Sequence, residues 1–259
     1  MSNATYFTIQ ELIDMLLGDY VTSCRAAPFD SNIVISSNME QSYKSVLGTG
    51  IGKNPCPHNI ESYHGLTLPP VDDNQTFTIL INARYVDPSM RNIDWISTLI
   101  HEITHVYDFK EYFNIVSPKT FDELFDDTLH PIFNNWTEFH AMAVGHYYLR
   151  KYAIPNFKST QHIDTILHIE LPTAAYQMSS MFGTTNNIAR IKYIVVRFLA
   201  RLAVWQYLFP VVFNDSYITQ IMAGNPWMED LFRLLTKYPT LDSAYPHFDE
   251  IQSIWETQF

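Results

Sequence analysis

Cysteine is nearly missing from this chain: its 259 residues include two, Cys24 and Cys56. Two thiols cannot build a disulfide framework, and no C-x-x-C spacing points to zinc or redox chemistry. Ordinary thiols of a cytoplasmic protein are expected, with a single bridge between them as the alternative. Glycine is scarce as well, at eight residues. A glycine loop that cradles phosphate is hard to assemble from so few, and none is found; there is no serine- or cysteine-nucleophile motif either. Basic residues are outnumbered, with 16 Lys+Arg against 27 Asp+Glu for a net charge of −11 and no basic run. A nucleic-acid partner is disfavoured, because a phosphate backbone is held by clustered Lys and Arg. Long apolar runs are also lacking. The most apolar stretch, Ile191 to Phe213, is interrupted by Lys192, Arg197, Arg201, Gln206 and Pro210, and it reads as a buried helix rather than a membrane span. Met1 to Phe7 has neither the basic nor the apolar region of a signal peptide, which adds to the cytoplasmic expectation. Within it, Ser2-Asn3-Ala4 reads as an expression remnant.

Apolar material is plentiful in total. Hydrophobic residues make up 47% of the chain and aromatic residues 15%, enough for a large core; the length fits one large domain or two small ones, and a single domain spanning 1–259 is expected. The first helix is signalled at Thr8-Ile-Gln-Glu11, a capping-box spacing, and is expected to end near Gly18. Ile33-Val-Ile35 predicts a short strand, residues 44 to 75 read as irregular, and Thr76 to Asn82 predicts a clearer strand. A helix capped by Asn92 or Asp94 should then carry Ile96, Leu99, Ile100 and Ile103 on its apolar face, with less regular chain after Asp108. Asn134-Asn135 can cap a second long helix from Trp136 to about Tyr152. Further helices are predicted at Ile163 to Leu171, Ile188 to Leu208, Trp227 to Lys237 and Phe248 to Thr257.

Ten histidines occur, and two of them form His101-Glu102-x-x-His105. Four residues of α-helix turn about 400°, so the imidazoles lie about 40° apart on one face, one turn apart along the axis. That suits two neighbouring positions of a tetrahedral Zn²⁺. Glu102 lies beside that face, where a carboxylate can take a proton from water acidified by the metal. With this composition the motif is expected by chance only roughly 0.016 times. It also falls on an amphipathic helix just after a strand, with Ile96, Leu99, Ile100 and Ile103 facing away from both histidines.

A catalytic zinc needs a third protein ligand and an open position. Glu138, on the second long helix, is the preferred candidate. Asp108 lies about 20° from His101 on the same helical face; it would strain to complete the tetrahedron and is better placed to support the site by hydrogen bonds. His140 and His146 are the other ligand alternatives.

The pattern His101-Glu-Ile-Thr-His105-Val-Tyr-Asp108, followed by Glu138-Phe-His-Ala141-Met-Ala143, resembles the zincin metallopeptidases of the Glu-ligand type, the gluzincins. Within them it looks like the catalytic domain of anthrax lethal factor and its relatives and, more loosely, the ImmA/IrrE peptidases. The resemblance covers roughly residues 76 to 150. It implies His101, His105 and Glu138 as zinc ligands and Glu102 as general base. It also implies that the strand from Phe77 to Asn82 is an edge strand to which a peptide substrate adds. The pattern departs at Pro131, where lethal-factor-like enzymes carry a tyrosine that stabilises the oxyanion. His130, His140, His146, Tyr147 and Tyr148 are the possible substitutes. Residues 160 to 259 have no counterpart in the resemblance.

The expected fold is therefore α+β and zincin-like: a small mixed N-terminal sheet with an active-site helix, then a mainly helical C-terminal part. The expected function is hydrolysis of a peptide or protein substrate by a zinc-dependent metallopeptidase. A catalytically inactive zincin-fold binding or regulatory protein is the alternative, and a helical structural protein with a fortuitous motif is the third reading. His58 and His64 read as surface residues of a loop, and Tyr193, Trp205, Tyr207 and Phe209 as core. Arg197 and Arg201 share a helical face; if buried they need carboxylate partners, and a structural ion pair is expected ahead of a role in binding a substrate carboxylate.

Overall fold

The structure is a computed structural model, which describes residues 8–47, 56–70, 76–182 and 184–259. The Ser2-Asn3-Ala4 segment lies outside them. The chain is α+β and divides into two compact units, residues 1–125 and 126–259. No helix among the described residues is long and apolar enough to cross a membrane. Both cysteines are free thiols.

The first unit opens with helix α1, Ile9–Cys24, and Thr8 with Glu11 forms the reciprocal capping box that the spacing predicts. The helix runs past Gly18 because Leu12, Ile13, Leu16 and Tyr20 form one buried stripe whose burial outweighs a single glycine. Strand β1 (Asn32–Ser36), helix α2 (Met39–Leu47), strand β2 (Gly65–Leu68) and strand β3 (Thr78–Asn82) follow. The sheet order is β1-β3-β2, with β1 parallel and β2 antiparallel to β3. The strand expected at the edge is thus the central one, and all five of its residues are buried. Its Thr-Ile-Leu-Ile-Asn run lacks the polar alternation of a half-exposed edge, which fits a strand covered on both faces. The edges among the described residues are β1 and β2.

Strand β2 lies inside the stretch expected to be irregular. Its four residues alternate cleanly. Leu66 and Leu68 join Leu80 of β3 and Met39 and Tyr43 of α2 in one apolar cluster, so Gly65 and Thr67 point to the other face of the sheet. There they meet helix α3, Asp94–Val116.

Helix α3 is two turns longer than predicted. No glycine or proline interrupts Phe109 to Val116, and Tyr112 is fully buried; the helix stops only at Ser117, which adopts the left-handed conformation (φ 53°) just before Pro118. Neither predicted residue caps its start, where Ile93 takes the cap position, but Asn92 Oδ1 accepts from the Asp94 amide at 3.0 Å. Tyr107 donates to the Ala27 carbonyl at 2.6 Å, and Lys110 pairs with Asp30, tying α3 to the chain before β1. A short helix α4 (Phe121–Leu124) closes the unit, with Phe121 stacked on Phe113.

The second unit is helical among its described residues. Helix α5, His130–Ala153, begins four residues before the predicted Asn134 cap, because Pro131 occupies its first turn, where a missing N–H costs nothing. Asn135 instead donates to the Pro131 carbonyl at 2.9 Å. Helix α6 (Ile163–Thr165), a π-helical turn over Ile166–Glu170 and helix α7 (Leu171–Phe182) form a continuous run. The predicted stop at Pro172 does not occur; the wide turn precedes the proline, which has no N–H to donate back. Helix α8, Ile188–Leu208, is capped by Asn187 and is the centre of the unit, packing on α5, α7 and helix α10 (Pro226–Lys237). Helices α9 (Asp215–Ile221), α11 (Leu241–Ala244) and α12 (Phe248–Gln258) complete it. The fully buried Trp205, Phe213, Phe232, Phe248 and Trp255 carry much of its apolar core, each contributing about 1.5–3 kcal/mol in removal from water.

Candidate functional site

In the first unit, the one-turn spacing of His101 and His105 on α3 brings their rings edge to face with centroids 4.4 Å apart. Their Nε2 atoms are 2.9 Å from each other. Which of the two nitrogens donates depends on the tautomers. Two zinc–nitrogen bonds of about 2.0–2.1 Å at a tetrahedral angle need about 3.3 Å between the nitrogens, a small opening of the same arrangement. His105 is only 7% exposed, and His101 is half-buried.

Glu102 is also 7% exposed and is held from the sheet. Thr67 Oγ1 lies 2.8 Å from Glu102 Oε2 and 3.0 Å from its backbone oxygen. Gly65, two residues earlier on the same face, leaves the room this needs: a Cβ there would lie 2.8 Å from Glu102 Cγ and 2.9 Å from Oε1. Neither residue stands out in the sequence, since four residues of strand between glycine- and proline-rich segments are a weak signal. The alternation in Gly65-Leu-Thr-Leu68 was the legible trace.

Helix α3 also meets α1 through polar groups. Tyr20 donates to Thr104 at 3.2 Å, and Thr104 in turn donates to the Ile100 carbonyl at 2.8 Å. Asp108 is 2% exposed and lies close enough to oppose ionisation of Tyr20, whose hydroxyl pKa is raised chiefly by burial. His64 stacks on Tyr85 at 3.8 Å between centroids.

In the second unit, Glu138 sits in the middle of α5. Burial pushes its carboxyl up to about 7. His140 packs on the Trp136 ring at 5.1 Å. His130 is buried at the start of the helix with Nδ1 3.3 Å from the Asn134 amide nitrogen, and burial lowers its pKa against the pull of Asp127. Tyr147 contacts the rings of Tyr148, Phe157 and Tyr207; Tyr148 is buried, whereas Tyr207, expected in the core, is 70% exposed, as Tyr193 is exposed, because both stand on the solvent side of α8. His146 lies two turns beyond Glu138, its ring against Trp205. Burial foremost, and then Arg201, Arg150 and Arg197, push its pKa down to about 3. Within the second unit, then, the alternatives to a tyrosine at Pro131 occupy several different surroundings along α5.

Compared with protein-family models, with curated proteins and with solved structures, the chain matches none.

Proposed function

We propose that the protein is a zinc-dependent metallopeptidase of zincin type, with His101, His105 and Glu138 as metal ligands and Glu102 as general base. The observation that carries this reading is the donor set. On α3, His101 and His105 present their Nε2 atoms 2.9 Å from each other beside the Thr67-held carboxylate of Glu102, and the family resemblance supplies the carboxylate of Glu138 as the third ligand. Two imidazoles and one carboxylate are the ligand chemistry of a catalytic zinc that keeps a position open.

When bound, zinc supplies Lewis acidity, lowering the pKa of water towards about 7 and polarising a carbonyl. Glu102 takes the proton of the attacking water and passes it to the leaving amine. Thr67 holds one oxygen of that carboxylate and so sets its plane. Asp108, buried on the same helix, supports the histidine face. An extended peptide would add to β2, the edge strand beside α3, rather than to the central β3.

The second reading, an inactive zincin-fold binding protein, draws its support from Pro131, which supplies no oxyanion donor. Zinc content, His101→Ala and a peptide-library assay on the Glu102→Gln protein decide between them. The proposal requires about one zinc per chain, lost in His101→Ala, and turnover abolished by Glu102→Gln with zinc retained. Full peptidase activity in Glu102→Gln would falsify the mechanism.

A further inference from the structure

Helices α5 and α8 of the second unit face each other with a concentration of positive charge between them. His146 and Arg150 are one turn apart on α5; Arg197, Arg201 and Trp205 are spaced one turn apart on α8, and the His146 ring lies 6.2 Å from Trp205. Arg150 is 3% exposed. Its Nη1 pairs with Glu170 at 2.6 Å, while its Nε and Nη2 are out of solvent and have no hydrogen-bond partner. His146 Nε2 is in the same condition. Arg201 is half-buried with only a long contact, 3.5 Å, to Gln177, and Arg197 is exposed at the rim. Glu170 is the only carboxylate in salt-bridge distance of any of the three arginines among the described residues.

Three guanidiniums against one carboxylate leave an excess of two positive charges. Guanidiniums do not shed protons at any ordinary pH, so the cluster cannot relieve its repulsion that way. Burial and then Arg197 lower the Arg201 pKa, and burial foremost, then the three arginines, favours neutral His146. Neutral His146 can still donate a hydrogen bond from Nε2.

We infer that Arg150, Arg197, Arg201 and His146 form an anion-binding site for a phosphate group, whose two charges match the excess and whose oxygens suit the guanidinium fork. A carboxylate group would neutralise only one charge. The site uses none of the residues proposed above as metal ligands or general base, and it gives His146 a different role from the ligand and oxyanion alternatives considered for it.

The test is calorimetric titration with inorganic phosphate, with the thermal midpoint followed in parallel, against chloride of equal ionic strength. Saturable binding and a raised midpoint are expected for the native chain. Arg201→Gln, chosen because it is half-buried and Arg150 is too deep to replace safely, should weaken binding by about tenfold or more. Arg91→Gln, exposed in the first unit, should bind as the native chain does. A titration with a phosphoserine peptide separates the sources: tighter binding than inorganic phosphate assigns a phosphorylated chain, and equal or weaker binding a free anion. Phosphate that does no more than chloride, or binds Arg201→Gln undiminished, overturns the inference; the latter result also catches phosphate held at a metal instead.

Discussion

Thr67 Oγ1 stands 2.8 Å from Glu102 Oε2, so a strand residue holds the central glutamate of the His-Glu-x-x-His helix. A hydroxyl bonded to a carboxylate is worth about 1.5–3 kcal/mol. If Glu102 is the base, Thr67→Val should lower kcat about tenfold to a hundredfold, with KM and zinc content little changed. Thr67→Ser keeps the hydroxyl and should restore most of the rate. A Thr67→Val enzyme with unaltered kcat would show that this bond does not serve catalysis.

Gly65 is the second half of that arrangement. In Gly65→Ala the new methyl meets Glu102 Cγ at 2.8 Å and Thr98 Cγ2 at 2.8 Å. Overpacking of this kind costs about 1–3 kcal/mol, read as a lower urea midpoint. Adding Thr98→Ala should recover part of the loss by removing one of the two clashes.

Zinc affinity should depend steeply on pH near neutrality. Burial raises the Glu138 carboxyl to about 7, so in the metal-free protein its protonated form is favoured by folding. That contribution to stability is fully present below the ordinary glutamate pKa and is lost as pH rises through about 7. Zinc takes the ionised form and reverses the preference. Affinity measured by competition with a chelator should fall as pH drops from 8 to 6, and Glu138→Gln should bind more weakly with a flatter profile. Equal profiles for the two proteins would remove Glu138 from the ligand set.

His146 makes the opposite contribution to stability. Its folded pKa is about 3, well below the ordinary 6.5. The unfolded chain takes up the proton first, so stability is fully present above about 6.5 and falls as pH drops towards 3, by up to about 1.4 kcal/mol per pH unit. Urea midpoints at pH 7 and pH 5 should therefore differ more for the native chain than for His146→Gln. A bound anion would reduce the difference by favouring imidazolium.

What the sequence determined by itself is the local geometry. The 1.5 Å rise and 3.6-residue turn of a helix place His101, Glu102 and His105 before any neighbour is considered, and the Thr8–Glu11 box and the helix from Ile188 to Leu208 are equally local. The tertiary structure decided what depends on partners distant in the chain. Helix α3 runs on to Val116 because Tyr112 is buried and Phe113 stacks on Phe121. The strand from Thr78 became central because Asn32–Ser36 and Gly65–Leu68 pair on both its sides, and only that pairing turns Thr67 towards Glu102. Arg150 is inconspicuous in the sequence; it matters because α8 brings Arg197 and Arg201 against the same face of α5. Periodicity tells which residues share a face of one element, but the energy of a buried strand or a buried charge depends on what lies opposite, and the chain must fold to supply it.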